Sequence, residues 1–171
     1  MSRSFILIIL VLAQFACVSL WFAGNAVLAD LVNTYSLKVS VGWLTSMVQL
    51  GFIGGTFVFA FFSISDRISP SKVFFFSALI AAVFNLGLWL AEKNDMILYG
   101  SRLVTGFFLA GIYPTGMKIA SDYFDKDISK ALGFLLGALV LGTAFPHLLR
   151  SGIIPLSWEK VVFSTSILAV L

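Results

Sequence analysis

Few side chains in this sequence could carry out covalent or metal chemistry. The chain has one histidine, His147, and one cysteine, Cys17. Neither is accompanied by residues with metal-ligand spacing or by a nucleophile–base arrangement, and a single cysteine excludes an intramolecular disulfide. The sequence therefore predicts no enzyme, no metal site and no cofactor. His147 is best interpreted as an interfacial residue near a helix end.

The most informative single residue is Arg102, an arginine inside a long apolar run. It lies six residues into the run that begins at Met96, which corresponds to about 9 Å along a helix. Burying its charge in the hydrocarbon core costs at least about 2.5 kcal/mol, so we expect it to face an internal aqueous cavity. The competing interpretation is that the side chain extends to the membrane surface, as we expect for Lys118.

Polar residues form one stripe on each of three apolar runs when 100° is counted per residue. The stripes are Gln14, Trp21 and Asn25 on the first run, Thr45, Gln49 and Thr56 on the second, and Arg102, Gly106 and Tyr113 on the fourth. Hydrogen bonding between helices also uses these residue types, so packing explains any one of them equally well. The combination favours a solute pathway. We predict that it is formed by Gln14, Trp21, Asn25, Gln49, Arg102 and Tyr113.

The elements that must position these residues are long apolar runs. Sixty per cent of the 171 residues are apolar or aromatic and 11 per cent are charged, whereas a soluble domain carries about 25 per cent charged residues. About 20 residues cross the hydrocarbon core, where the backbone of such a run must be helical. We predict an all-α integral membrane protein with complete helices at about residues 5–29, 43–64, 73–91, 96–119 and 131–149.

The two ends of the chain need separate interpretations. Arg3 followed by an apolar run could be a signal peptide, but residues 5–29 exceed the usual length of a signal core, so we predict an uncleaved first span. A sixth apolar run, residues 161–171, is too short to cross the membrane. We expect it to be the incomplete beginning of a sixth helix.

Basic residues in the connections indicate the orientation. With a cytoplasmic amino terminus, the inner side holds Arg3, Arg67, Lys72, Lys118, Lys126 and Lys130, and the outer side holds Lys38, Lys93, Arg150 and Lys160. Because basic residues are enriched in cytoplasmic loops, we predict a multi-pass protein of the cytoplasmic (inner) membrane with its amino terminus in the cytoplasm. The charges form no basic stripe, so nucleic acid is not a predicted partner.

Small residues recur inside three of the predicted spans. They are Gly51, Gly54 and Gly55 in the second, Gly106 and Ala110 in the fourth, and Gly133 and Gly137 in the fifth. Small residues four positions apart let helix backbones approach closely in lipid. We predict that these residues serve helix packing rather than direct contact with a solute.

Several segments resemble motifs of the major facilitator superfamily, in the family's order along the chain. The loop from Ser65 to Lys72 resembles G-x-x-x-D-R-x-G-R-K, with Asp66 and Arg67 matching. Phe62 and Ser69 stand where this motif has glycine.

The fourth run supplies Arg102 and Gly106 of R-x-x-x-G. It is followed by Gly111-Ile112-Tyr113-Pro114 and Ser121-Asp122-Tyr123-Phe124, which resemble the end of that helix. Gly133 and Gly142 match the G-x(8)-G spacing of the fifth helix, whereas Pro146 is one residue early for the G-P element.

The resemblance implies a secondary transporter of two six-helix halves, with residues 1–171 forming the amino-terminal half. It implies transport of a small solute by alternating access, with or without a coupling proton or ion, and a carboxy-terminal half of the same transporter as partner within the lipid bilayer. It also implies that Asp66, Arg67 and Asp122 belong to a loop that controls the inward and outward states. From the residues alone, Asp66 could pair with Arg67, accept hydrogen bonds from a helix amino terminus, or be a solvated loop charge.

An alternative function is that of a small polytopic membrane protein that scaffolds or regulates a partner. The incomplete sixth run disfavours it. The substrate stays open, because a buried arginine favours an anion but is typical of the family across many substrate classes. No carboxylate lies deep within a predicted span, since Asp30 is at the outer edge of the first. Symport, antiport and uniport are equally compatible with these residues.

Overall fold

A computed structural model of the protein describes residues 3–37, 39–125, 127–151 and 156–171. The regular structure within these ranges consists of α-helices and one 3₁₀ helix, Leu86–Lys93, with no strand. The α-helices are α1 Arg3–Val18, α2 Leu20–Tyr35, α3 Val41–Phe61, α4 Ile64–Arg67, α5 Pro70–Asn85, α6 Asp95–Leu109, α7 Tyr113–Tyr123, α8 Ile128–Arg150 and α9 Trp158–Val170. The predicted all-α class is confirmed.

Five helical segments among the described residues are long and apolar enough to cross a bilayer. In chain order, the first to fifth spans are Arg3–Tyr35, Val41–Phe61, Pro70–Leu90, Asp95–Tyr123 and Ile128–Arg150. The prediction of five complete spanning helices is therefore confirmed. The last apolar run forms α9, a 13-residue helix that packs against α1, α2 and α5.

Side-chain caps and proline mark where several helices begin. The hydroxyl of Ser40 accepts a hydrogen bond from the backbone N–H of Trp43 at 3.2 Å, and Asn94 accepts one from Met96 at 2.8 Å. Such caps satisfy backbone donors that have no partner inside the helix. Pro70 lies in the first turn of α5, where its missing N–H costs nothing.

The first span is longer than predicted and carries an ion pair near its end. Asp30, placed by the sequence in a connection, lies inside α2, which continues to Tyr35. Its carboxylate accepts two hydrogen bonds from the guanidinium of Arg150 at the end of α8, at 2.7 Å from Nε and 2.5 Å from a terminal nitrogen. This pair ties the ends of the first and fifth spans together.

Two spans are interrupted along their length. In the first, the break falls at Ser19, which keeps helical angles (φ −57°, ψ −26°) and donates its hydroxyl to the carbonyl oxygen of Ala16 at 2.6 Å. In the fourth, α6 ends at Leu109 and α7 begins at Tyr113, with a proline in its first turn. The 100° count therefore does not run unbroken from Arg102 to Tyr113.

Glycines bring α3 and α6 into backbone contact. A Cβ on Gly51 would lie 1.9 Å from the carbonyl oxygen of Leu103, and a Cβ on Gly106 would lie 2.0 Å from that of Val48. No larger residue fits at these two positions without moving a helix. By contrast, a Cβ on Gly54, Gly133 or Gly137 would meet no atom within 4 Å. A Cβ on Gly55 would lie 2.2 Å from the carbonyl oxygen of Phe107. Within the described residues, the packing prediction therefore holds for Gly51, Gly55 and Gly106, whereas the other three glycines face outward.

Candidate functional site

Arg102 lies on α6 at the centre of a buried polar cluster. Its relative exposure is 0%. One terminal nitrogen donates to Oδ1 of Asn85 at 2.9 Å, and the other donates to the carbonyl oxygens of Leu20 at 2.9 Å and Trp21 at 2.6 Å. Gly24 makes room for this side chain, because a Cβ there would lie 3.1 Å from Nε of Arg102.

Asn85 connects this cluster to α9. Its Nδ2 donates to Oγ of Ser166 at 2.9 Å, with longer contacts of 3.4 Å to Oγ1 of Thr165 and the carbonyl oxygen of Val162. The amide thus uses its oxygen for Arg102 and its nitrogen for α9. Bonds from a charged donor are stronger than neutral ones, so one arginine holds the first, third and fourth spans together. We refer to Arg102, Asn85 and their bonded partners as the arginine cluster.

The arginine cluster is closed to water. Among the guanidinium nitrogens, Nε alone has no partner within the described residues. No carboxylate of the described residues pairs with Arg102, so oxygen dipoles solvate its charge instead. The sequence expectation of an aqueous cavity at this residue does not match these surroundings, and neither does extension to a membrane surface. Arg102 lies inside the wall of the bundle.

A cavity of about 500 Å³ lies beside this wall, between the first, second, fourth and fifth spans. We call it the central cavity. Its lining residues are the aromatic Trp21, Phe22, Phe52 and Tyr113, the polar Gln49 and Thr143, and the aliphatic Val18, Leu109 and Leu139. Three predicted pathway residues, Trp21, Gln49 and Tyr113, are thus brought together from three different spans.

The central cavity offers aromatic surface and a few unused hydrogen-bonding groups. The rings of Trp21 and Phe52 lie against each other with centroids 4.8 Å apart. Thr143 donates its hydroxyl to the carbonyl oxygen of Val140 at 2.8 Å, which leaves its oxygen able to accept. Within the described residues, the amide of Gln49 and the hydroxyl of Tyr113 make no hydrogen bond of their own, so both are available to a solute.

The other two predicted pathway residues lie in helix contacts outside the central cavity. Asn25 donates to Oγ1 of Thr45 at 2.6 Å, which joins the first span to the second, and its Oδ1 has no partner within the described residues. Gln14 is fully buried, and neither of its amide atoms has a described partner. A Cβ on Gly116 of α7 would lie 2.9 Å from Oε1 of Gln14 and 3.6 Å from the ring of Phe74.

The loop after the second span is bonded to α7. Asp66 forms an ion pair with Lys118, which is half-exposed, and Ser65 shares a hydrogen bond of 3.0 Å with Thr115. The sequence left open whether Asp66 pairs with Arg67, accepts from a helix amino terminus or is a solvated charge. The two contacts seen here instead join the segment after the second span to the fourth span. Arg67 and Asp122 are exposed and have no ion pair among the described residues.

Several important residues were missed by the sequence analysis. Asn85 is the one amide residue in a long apolar run, and this signal could have identified it as a partner for Arg102. Phe22, Phe52 and Thr143 had no comparable signal, since apolar spans are rich in such residues. The pairing of Asp30 with Arg150 was likewise unpredictable, because the two residues are 120 positions apart.

Metal binding has no support in the described part of the chain. No group of three or more His, Cys, Asp or Glu side chains there is close enough to hold a metal ion. Two ion pairs join side chains of the described residues, Asp66–Lys118 and Asp30–Arg150.

Comparison with protein families gives one match over nearly the whole chain. The family described as the Major Facilitator Superfamily matches residues 6–171. A comparison with curated individual proteins gave no match. The family match covers the first span from residue 6 onward, the other four spans and α9, and therefore includes both the arginine cluster and the central cavity.

Proposed function

The chain belongs to the major facilitator superfamily, and from this premise we propose that it carries a small solute across the membrane by alternating access. Membership makes it a multi-pass integral membrane protein of a transporter family. The observation that supports the proposed mechanism is the central cavity, which lies between four spans and is large enough for a small molecule. The solute would be held there and released to either side in turn.

In this proposal, Trp21, Gln49 and Tyr113 contact the solute directly. Arg102 acts one layer behind them: it binds the carbonyl oxygens of Leu20 and Trp21, and Trp21 places its ring in the central cavity. The arginine would therefore set the position of a solute-binding side chain without touching the solute. Gln14 and Asn25, which also lie outside the cavity lining, would support the first span against the fourth and second spans.

We propose that Asp66, Arg67 and Asp122 take part in switching between the inward and outward states. The ion pair of Asp66 with Lys118 joins the loop after the second span to α7, the helix that begins with Tyr113. Making or breaking this pair would therefore move a wall of the central cavity. Asp122 lies one helical turn beyond Lys118, and both Asp122 and Arg67 are exposed, so they are free to meet charged groups outside this chain.

A carboxy-terminal half would supply the other wall of the pathway. Gln49 supports this, because it lines the central cavity and yet is exposed in the 171-residue chain. One side of the cavity is therefore left uncovered by the described residues. We expect the 171-residue chain reconstituted alone in liposomes to give no saturable flux. Saturable, solute-specific flux by the chain alone would refute the need for a second half.

The proposed orientation has a cytoplasmic amino terminus, which the excess of basic residues on that side supports. Ser69→Cys and Asn94→Cys place thiols at exposed positions at opposite ends of the third span, whereas the native Cys17 is buried. A membrane-impermeant thiol reagent added to intact cells should label Asn94→Cys and leave Ser69→Cys unlabelled. The reverse pattern would invert the topology.

The transport proposal is tested most directly by solute counterflow in proteoliposomes that contain the intact transporter. Trp21→Ala and Tyr113→Ala, which remove aromatic walls of the central cavity, should lose most of the saturable counterflow. Phe57→Ala removes a ring of similar size from an outward face with 68% relative exposure, and it should retain the wild-type rate. Equal rates in all three variants at equal protein content would remove the central cavity from the transport pathway.

A further inference from the structure

We infer that the solute bound in the central cavity is uncharged and largely apolar, and that it carries one or two hydrogen-bonding groups. This inference rests on the transport function proposed above and specifies the class of molecule recognised at the same site. It follows from three properties of the described residues: which side chains line the cavity, which of their polar atoms lack partners, and where the nearby charges are held.

The cavity lining is aromatic and aliphatic with very little polar surface. Trp21, Phe22, Phe52 and Tyr113 provide rings from three spans, and aromatic side chains bind ligands mainly by burying apolar area. A strongly hydrated solute such as a sugar would lose most of its water on entering and recover few hydrogen bonds from these walls. The lining therefore favours a molecule whose own surface is mostly apolar.

The unused polar atoms are few and uncharged. Gln49 can donate and accept through its amide, and Tyr113 can do so through its hydroxyl. Neither bonds to another described residue, and both line the cavity. Thr143 has an oxygen left to accept, since its proton is already donated to the carbonyl oxygen of Val140. These groups suit a hydroxyl, carbonyl or amide on the solute, and they place it near the second, fourth and fifth spans.

Within the part of the chain that the structure describes, no charged side chain lines the central cavity. The closest candidate, Arg102, is fully buried in the arginine cluster and donates to Asn85 and to two backbone carbonyl oxygens. The other ionic groups of the described residues are also absent from the lining. Asp66 pairs with Lys118 and Asp30 with Arg150, and Lys72, Asp95 and Lys130 lie near the ends of their helices. An anion or cation held against these walls would therefore give up its hydration without meeting an opposite charge from the described residues, which is unfavourable.

A cation has one additional attraction, since aromatic faces bind positive charge. The two rings that meet in the cavity, Trp21 and Phe52, lie against each other at 4.8 Å with their planes tilted by 55°. Part of each ring is thus covered by the other, and no carboxylate stands behind them. The geometry therefore favours a neutral molecule over a cation, and the experiment below includes a matched cation to test this.

The test uses an intact transporter in which Trp21 is the only tryptophan. Every other tryptophan is replaced by phenylalanine, including Trp43, Trp89 and Trp158, which lie outside the cavity lining. Trp21 is then the fluorescent reporter. Three probes of similar shape but different charge are titrated in nanodiscs: 2-phenylethanol, 2-phenylethylammonium and phenylacetate. A saturable change in Trp21 emission measures binding separately from transport.

We expect 2-phenylethanol to give a saturable signal and the two ions to bind at least about tenfold more weakly, because neither ion finds a countercharge. Adding Gln49→Leu and Tyr113→Phe, which remove the unpaired polar atoms but keep side-chain volume, should weaken binding of the alcohol. A signal from probe dissolved in lipid would not depend on Gln49 or Tyr113, so this weakening excludes it. Adding Phe57→Leu on the outward face should leave binding of the alcohol unchanged.

Two outcomes would overturn the inference. One is binding of phenylacetate or phenylethylammonium that equals or exceeds binding of the alcohol, and the other is the absence of a saturable response to the alcohol. Either result, combined with counterflow of an ionic solute, would leave the transport proposal standing and change only the solute class. Binding of the alcohol without counterflow of any solute would retain the neutral site and overturn transport.

Discussion

The arginine cluster and the central cavity are neighbours that use similar residue types for opposite purposes. Trp21 belongs to both, since its carbonyl oxygen accepts from Arg102 and its side chain lines the cavity. In the cluster, nearly every polar atom has a partner and no water reaches the charge. In the cavity, the amide of Gln49 and the hydroxyl of Tyr113 have no described partner. Whether a polar group is already satisfied therefore distinguishes a residue that holds the bundle from one that can bind a solute.

This comparison predicts that changes in the cluster affect stability, whereas changes in the cavity affect binding alone. The distinction matters because loss of transport by itself does not separate the two roles. An unstable transporter and one that cannot bind its solute both fail to carry it. Each variant below is therefore judged by its free energy of unfolding as well as by its effect on transport.

The largest effect should come from Arg102→Ala. It removes a large buried side chain and leaves Asn85 and two carbonyl oxygens without their donor, so we expect a loss of about 2–5 kcal/mol in the free energy of unfolding. Uptake should be lost or strongly reduced even where the protein still inserts into the membrane. Arg102→Lys should recover only part of the stability and part of the uptake. Its ammonium group keeps the charge but cannot reproduce the guanidinium fork that reaches two helices.

The matched control for this arginine is Arg67→Ala. Arg67 is exposed and has no ion pair among the described residues, so its removal should change the free energy of unfolding by less than about 0.5 kcal/mol. Chemical denaturation in detergent micelles, followed by tryptophan fluorescence, provides the measurement. Equal stability of the two alanine variants would show that the cluster does not hold the spans together.

A smaller effect should follow from crowding the contact between α3 and α6. Gly51→Ala places a Cβ 1.9 Å from the carbonyl oxygen of Leu103, and separating two packed elements in this way costs about 1–3 kcal/mol. Gly54→Ala on the same helix places its Cβ in open space. It therefore serves as a control that alters the same residue type without crowding the bundle. Comparable losses of thermal stability in both variants would contradict the packing seen here.

The sequence was sufficient to predict the spans. It was not sufficient to assign each polar residue to the arginine cluster or to the central cavity. Long apolar runs require spanning helices whatever their neighbours are, so five spans could be predicted from hydropathy. The 100° count placed Arg102 and Tyr113 on one stripe, yet residues 110–112 interrupt the helix between them. A periodicity argument assumes an unbroken helix, and it cannot detect where the helix of the fourth span is interrupted.

Partners distant in sequence were the other limit. In the sequence, Arg67 was one possible partner of Asp66 because the two are adjacent. In the folded chain, Asp66 pairs with Lys118, which is 52 positions away. Gly51 and Gly54 are equivalent as small residues, and only the position of α6 makes one essential and the other open. Residue types indicated which positions were unusual, but the contacts between helices determine what each of them does.

The smallest effect, and the sharpest test of the comparison, should come from Tyr113→Phe. The substitution removes one hydroxyl that has no partner among the described residues, so the free energy of unfolding should change by less than about 0.5 kcal/mol. If that hydroxyl bonds to the solute, apparent affinity should fall about two- to tenfold, since a neutral hydrogen bond contributes about 0.5–1.5 kcal/mol. Tyr99→Phe removes a hydroxyl from a tyrosine that packs in an apolar cluster away from the cavity, and it should change neither quantity. A loss of stability without any change in affinity would place Tyr113 with the residues that hold the bundle. A hydroxyl that bonds to the solute must change the affinity when it is removed.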